Sequence, residues 1–389
     1  MQMKFRAMLA ATALAVSAVA AHADIIVVTH GQASDPFWSV VKNGVAEAGK
    51  DLGVKVDYRA PETFDMVAMS QLIDAAVNQK PEGLVVSIPD GDALGPSIQK
   101  AVAAGIPVIS MNSGSDVSKK LGALLHVGQS EYDAGKAAGE KLKTMGGKKG
   151  LCVNQEVGNV ALDLRCKGFT DGFGAVTVLP TSADPADVKA KVKAALASDP
   201  AIDAIITLNA SLAGEPAVAA VGESGMDGKV NVATFDLSAG FLQAVADGKA
   251  AFAIDQQQFL QGYLPVAFLA LHSKYGLMPG GDVPSGPNLV TKDSAAKVDD
   301  LGGQGHPLGP APADARGPSS PRALLRLSRD FGPSASPGRY GRIGSLRLPP
   351  RAAQGGGQAA SSNDQRRPIS GAGGEENDGQ EQPDRNGGG

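Results

Sequence analysis

The chain has 389 residues, a formal net charge of −4, 43% hydrophobic and 20% charged residues. That balance fits a globular rather than a disordered protein, and its acidic sign argues against a nucleic acid or an anionic membrane surface as partner. Neither the two cysteines nor the five histidines show metal-ligand spacing.

Residues 1–23 read as a Sec signal peptide. Lys4 and Arg6 supply the positive start, Ala7 to Ala21 form an apolar run, and Ala21-His22-Ala23 is a small-x-small cleavage site before Asp24. The run is too short and too rich in small residues for a membrane anchor. An exported protein, in the simplest case periplasmic, is expected.

From Asp24 onward short apolar runs alternate with helical stretches. "DIIVVTH" (24–30) reads as a strand and "DPFWSVVKNGVAEAGKDLG" (35–53) as a helix. Asp35 suits its N-cap, Pro36 its first turn and Gly53 its close. Phe37, Val41, Val45, Ala48 and Leu52 share one face. A strand at 54–60, a helix at 64–79, a strand at 83–89, a helix at 94–105 and a strand at 106–112 follow. After the turn-rich segment 110–122 come strands at 123–128, 150–156, 175–181, 201–209, 230–236 and 250–256. Helices at 131–145, 160–173, 185–198, 213–224 and 238–247 fall between them, then a last helix at 258–275 and a strand within 285–293. Such alternation predicts an α/β fold, with parallel sheets covered by helices on both faces. More than ten strands would be unusual in one sheet, so two doubly wound domains are expected, with 110–122 as the first crossing between them.

Cys152 and Cys166 leave two readings open: a disulfide in an oxidising compartment, or two buried thiols. Near Leu301 the composition shifts to Gly, Pro, Ser and Arg, and residues 301–389 are expected to be disordered, because they cannot bury enough apolar surface to offset their ordering entropy. The abruptness of the switch also fits out-of-frame translation of a GC-rich gene.

In open parallel sheets ligands bind at the carboxyl ends of strands. There the sequence places His30, then Gln32 and Asp35; Asn112 and Ser113; Asn209; Asp236; and Gln256. Each alone is an ordinary turn former or helix cap. Together they offer paired donors and acceptors, which suits a neutral polyhydroxylated molecule better than a phosphate. Neither a G-x-x-x-x-G-K-[ST] loop nor a G-x-G-x-x-G after the first strand is present. Trp38, the only tryptophan, opens the first helix beside these strand ends, where a ring can cover the C–H face of a sugar or polyol. Acid–base work by Asp163, Asp236 or His30 would need a nucleophile or metal that nothing in the sequence pairs with them. No enzyme activity, catalytic residue, cofactor or metal is expected.

Taken together, "DPFW", "GLVVSIPDGDALGPSIQKAVAAGIPVISMNS", "DAIITLNA", "VATFD" and "AIDQ" resemble the ribose-type sugar-binding proteins of bacterial ABC importers, the type I periplasmic binding proteins, over about 24–295. The resemblance implies two Rossmann-like doubly wound parallel-sheet lobes joined by a three-strand hinge. Residues 24–111 plus about 257–284 would form the N-terminal lobe, and about 112–256 plus 285–300 the C-terminal lobe. It also implies a monomer that closes on a small neutral sugar or polyol and presents itself to ABC permease subunits. By position, Asp35 stands where the family has Asn, Phe37 and Trp38 fall on its two stacking aromatics, and Asn112 and Ser113 replace an Asp-Arg pair. Asp163 falls on a ligand-binding arginine, with Arg165 two residues on, and Asn209, Asp236 and Gln256 match the family's Asn, Asp and Gln. These departures leave ribose, another pentose and a smaller or acyclic polyol open. The alternative on the same fold is a sensory receptor for chemotaxis or for an autoinducer furanose. A lactose-repressor-type regulator would need a helix-turn-helix where the signal peptide stands.

Overall fold

Local chemistry sets where the helices begin. In the computed structural model, which describes residues 24–31 and 35–303, Asp35, Asp65 and Asp90 each cap a helix by accepting backbone N–H bonds from its first turn. The expected signal peptide, Gln32 and the chain beyond Gly303 lie outside the described residues. The first half runs β1 (Ile25–Val28), α1 (Pro36–Leu52), β2 (Val56–Arg59), α2 (Met66–Gln79), β3 (Gly83–Val86), α3 (Gly91–Ala103), β4 (Val108–Asn112) and β5 (His126–Gly128). The second runs α4 (Glu131–Thr144), β6 (Gly150–Asn154), α5 (Val160–Phe173), β7 (Val176–Pro180), α6 (Pro185–Ser198), β8 (Ala204–Thr207), α7 (Glu215–Glu223), β9 (Asn231–Phe235), α8 (Ala239–Ala246) and β10 (Phe252–Asp255). The chain finishes with α9 (Gln258–Tyr275), β11 (Val283–Pro284), β12 (Asn288–Thr291) and α10 (Lys292–Gly303).

The strands form two sheets of six, ordered β11-β5-β4-β3-β1-β2 and β12-β10-β9-β8-β6-β7. The orders correspond strand for strand, with β1 equivalent to β6, β4 to β9 and β5 to β10. All pairings are parallel except that of β12 with β10. Alternate residues of each strand feed opposite apolar layers. Ile25 and Val27 of β1 join Val41 and Val45 of α1 and Val266 and Leu269 of α9. Ile26 and Val28 face Met69 and Ile73 of α2 and Ile98 of α3. In the second lobe Leu151 and Val153 pack on α6 and α8, while Cys152 faces Leu142 of α4 and Phe169 of α5. Each such buried aliphatic side chain contributes roughly 1.5–3 kcal/mol. The two helix pairs nearest the cleft cross closely. A Cβ on Gly168 would fall 2.0 Å from the Tyr132 carbonyl oxygen, and one on Gly262 2.1 Å from that of Val41.

Three sequence expectations are corrected. The first crossing is not at 110–122. β5 pairs in parallel with β4, and a short 3₁₀ turn at Lys119–Leu121 lets Val117 and Leu121 pack on the first lobe's core. The chain therefore leaves the first sheet only after Gly128, and residues 112–128 belong with the N-terminal lobe. The C-terminal lobe's pattern does not stop at 300, because α10 ends at Gly303 and packs on α8 and β12. The two-residue strand β11, too short for any periodicity, was not expected at all. The chain crosses between sheets three times: after β5, after β10, and between β11 and β12. Among the described residues no helix is long and apolar enough to cross a membrane.

The open question over the two cysteines is settled by the fold: Cys152 and Cys166 form a disulfide joining β6 to α5. Closing a loop with a sequence separation of 14 contributes about 3 kcal/mol. The double variant Cys152→Ala/Cys166→Ala is expected to lose about that much unfolding free energy in a urea titration. Equal stability of the variant and the oxidised protein would show that the bond restrains nothing.

Candidate ligand-binding site

The carboxyl ends of β1, β4, β6, β8, β9 and β10 all face the cleft between the sheets. The pocket there is lined by His30, Asp35, Phe37, Trp38, Asn112, Gln155, Glu156, Asn159, Arg165, Asn209, Asp236 and Gln256, with Ala161, Leu162, Leu208 and Leu212. Of the residues expected from sequence, Asp35, Phe37, Trp38, Asn112, Arg165, Asn209, Asp236 and Gln256 come together here. Asp163 and Ser113 do not. Asp163 points away to accept from Asn154 Nδ2 at 3.0 Å, since on a helix it lies two positions, and thus about half a turn, from Arg165. Ser113 is buried beside the pocket but does not line it.

Two of the lining residues are helix caps that also bridge the cleft. Asp35 accepts the Phe37 N–H through Oδ1 at 2.9 Å, and its Oδ2 accepts from Asn209 Nδ2 at 3.1 Å. Asn209 meanwhile caps the turn before α7 by accepting from the Leu212 N–H at 2.8 Å. The Val160 N–H donates to the Pro89 carbonyl at 2.9 Å, so the lobes touch directly. Two other lining residues carry backbone strain. Asn112 (φ 62) and Asp236 (φ 70) occupy the left-handed region, a cost of order 1 kcal/mol or more for a non-glycine residue, which Asn and Asp bear best. They stand at equivalent points, at the end of β4 in one sheet and directly after β9 in the other, and both reach Gln256. Gln256 Nε2 donates to Asp236 Oδ1, while Asn112 Nδ2 reaches Gln256 Oε1 at 3.4 Å and Gln261 Oε1 at 3.1 Å.

Trp38 is only 7% exposed. It packs edge-on against His30 at 4.7 Å and Phe37 at 5.0 Å between ring centroids. A Cβ on Gly31 would fall 2.0 Å from its indole, so the ring's seat requires glycine there. Phe37 lies in the lobe core and in the pocket wall at once.

The charges are arranged so that the one cation in the lining is already paired. Arg165 Nε and Nη2 donate to Glu131 at 2.6 and 3.1 Å, and Nη1 to the Leu208 carbonyl at 3.2 Å. Its guanidinium lies 4.3 Å above the Phe235 ring centroid. Burial works against this charge, and the surrounding carboxyls, Glu131 first and then Asp236 and Glu156, more than restore it. Around it burial pushes three carboxyls up: Asp236 and Glu156 to about 7 and Asp35 to about 6. Burial, helped by the Arg165 charge, pulls His30 down to about 3, so its ring is neutral. Asn159 caps α5 by accepting from the Ala161 N–H. Its amide nitrogen therefore faces Glu156 Oε2, at 2.7 Å, and His30 Nε2, at 3.5 Å.

Sequence reading missed Gln155, Glu156, Asn159 and the supporting Gln261. The signal was available: "NQEVGN" follows β6 as "HGQASD" follows β1, and the two strands are equivalent. His30 was noted at its strand end but not assigned to the site.

Two α/β lobes whose polar strand ends converge on one cleft, linked by three chain crossings, define a two-lobed ligand-binding protein. The comparisons place it further: residues 25–276 match the family described as periplasmic binding protein domain, and the chain belongs to that family. It is 37% identical to a carbohydrate transporter from Acidothermus cellulolyticus 11B, whose crystal structure is in complex with myo-inositol; the TM-score is 0.69, covering 73% of this chain and 99% of that one. It is 24% identical over 258 residues to the xylose/arabinose-binding protein XylF of Sulfolobus acidocaldarius, covering 61% of this chain and 63% of the relative. The chain thus spans just under two thirds of that protein. It is 26% identical over 260 residues to the ribose import binding protein RbsB of Haemophilus influenzae, covering 65% and 87% of the two.

A raised carboxyl pKa means that the folded protein holds the proton more tightly than the unfolded one. The stabilisation tied to Asp236 is complete below its ordinary value of 3.8 and is lost as pH climbs through about 7. The stability of the ligand-free protein relative to its Asp236→Asn variant should therefore fall between about pH 4 and pH 7 in urea titrations. A difference that does not change with pH would place the Asp236 carboxyl in water.

Proposed function

We propose that the protein is an exported substrate-binding component that captures a small neutral polyol or monosaccharide between its lobes and hands it to the membrane subunits of an ABC importer. It acts as a monomer, in the periplasm, and does no chemistry on its ligand. The observation that carries this reading is the lining of the cleft. Asp35, Asp236, Glu156, Asn112, Asn159 and Gln256 offer acceptors and donors from both lobes, and Trp38 and Phe37 supply apolar faces. Hydroxyls both give and take, and so match such a ring of groups. An anionic ligand would meet three carboxyls and an arginine already paired with Glu131. The likeness to a protein crystallised with myo-inositol supports a ring polyol within this class.

Closure follows from the same contacts. A solute stabilises the closed form only by interacting with both lobes at once, and Gln256, on the second crossing, bonds Asp236 on one side and Asn112 on the other. A ligand that engages Asp236 therefore also engages the hinge.

The test is a thermal-shift series of the purified protein against myo-inositol, D-ribose, D-xylose, L-arabinose, D-allose and D-glucose. The cognate solute should raise the melting temperature with concentration, contributing about 2.7 kcal/mol at a hundredfold excess over its dissociation constant. Trp38→Ala should weaken that solute's binding by roughly 1 kcal/mol or more, and Asp236→Ala should abolish the shift. A panel in which no neutral polyol or sugar shifts the melting temperature, while an amino acid or an organic anion does, would overturn the assignment.

A further inference from the structure

Charge in the cleft is out of balance. Asp35, Glu156 and Asp236 line it from both lobes, and Arg165 is the one cation among the described lining residues. That cation is already paired with the buried Glu131. His30 Nε2 lies 3.8 Å from Glu156, but burial keeps the ring neutral, so it offers no countercharge. The ligand-free cleft meets the imbalance by holding protons. Burial is the first cause that raises Asp35, Glu156 and Asp236, and the charge of Asp35 adds to it in the other two.

Two of these carboxyls keep an oxygen for a solute. Glu156 accepts from Asn159 Nδ2 through Oε2 at 2.7 Å, and Asp236 accepts from Gln256 Nε2 through Oδ1. Glu156 Oε1 and Asp236 Oδ2 accept no hydrogen bond among the described residues. The Glu156 side chain is 16% exposed, so the cleft reaches it. Beside it Gln155, 8% exposed, lines the same wall with Oε1 unpartnered among the described residues. An amide oxygen in that state adds to the negative potential of the wall.

A bare metal ion does not answer this arrangement, because among the described residues no three acidic or imidazole groups are placed to hold one. The countercharge fits as part of a solute that also fills the cleft. A hydroxyl can donate to Glu156 Oε1, but it leaves the carboxylate charge unpaired in a site from which the solute has displaced water. A protonated amine donates and neutralises at once, and charge-assisted hydrogen bonds are roughly twice as strong as neutral ones.

We propose that the cleft binds polyols in which a protonated primary amine replaces one hydroxyl, in preference to their neutral counterparts, and that Glu156 sets this preference. The inference rests on the reading that the cleft takes a polyol, and extends it from neutral solutes to singly cationic ones. Asp236 Oδ2 is the second acceptor, and Phe37 and Trp38 cover the C–H face of the ring as for a neutral solute. The charged or titratable groups facing Glu156 are His30 and Asp35 from the first lobe and Arg165 from α5; those facing Asp236 are Arg165, Asp35 and Glu131. Binding an amine expels the protons that these carboxyls hold in the ligand-free cleft. The ratio of amine to neutral affinity therefore rises with pH as Glu156 and Asp236 titrate, both at about 7.

The test compares dissociation constants by calorimetry for three pairs of probes on the purified protein: myo-inositol with aminodeoxy-scyllo-inositol, D-glucose with D-glucosamine, and D-galactose with D-galactosamine. Ethanolamine serves as an amine without a ring. Near neutral pH the amine of at least one pair should bind about tenfold tighter or more than its neutral partner. That ratio should shrink toward about pH 5. Glu156→Gln should reduce it about tenfold, whatever the variant does to the neutral member. The inference is overturned if every neutral member binds as tightly as its amine, if the ratio does not change with pH, if Glu156→Gln leaves it intact, or if ethanolamine binds as tightly as the amino polyol. Neutral binding without any preference for the amine overturns this inference alone, whereas a panel in which neither member of any pair binds removes the polyol reading with it.

Discussion

A buried charge must be paired, and the cleft is organised around that constraint. Arg165 is withdrawn from water on the cleft wall, and Glu131, the first residue of α4, meets it through two hydrogen bonds. Breaking such a pair by removing one partner typically costs about 3–5 kcal/mol, so the position of α4 relative to α5 is tightly prescribed. The glycines that let these helices approach serve the same end. With Arg165 paired to Glu131, the other polar groups lining the cleft are mostly amides and carboxyls.

The strand-for-strand correspondence of the two sheets explains where the remaining polar groups lie. Asn112 and Asp236 occupy the same left-handed position after equivalent strands, and Asp35 and Asn159 cap the equivalent helices α1 and α5. The lobes then depart from each other in chemistry. The first offers rings at Phe37 and Trp38; the second has Ala161 and Leu162 at the corresponding points of α5 and supplies charge through Glu156 and Arg165 instead. One lobe brings aromatic surface to the cleft and the other brings charge.

Much of this was legible in the sequence. The short apolar runs and capped helices located most elements to within a few residues, and strand-end logic picked out Asn112, Asn209, Asp236 and Gln256, which the structure brings to one pocket. The misplaced crossing has a clear cause: "SMNSGSDVSKKLG" looks like a linker because it is turn-rich, yet Val117 and Leu121 within it are apolar anchors that return the chain to the same sheet. Asp163 and Arg165 were both expected in the site, and helical geometry turns Asp163 outward while Arg165 lines the pocket. Gln261 was invisible because its role depends on a residue over a hundred positions away, Asn112. No local pattern encodes such a bond.

The latch between Asp35 and Asn209 asks for no solute. Each group already serves its own helix end, so the bond between them takes no donor or acceptor away from either cap. Whatever a captured molecule gains in tightness comes from what it adds beyond that latch.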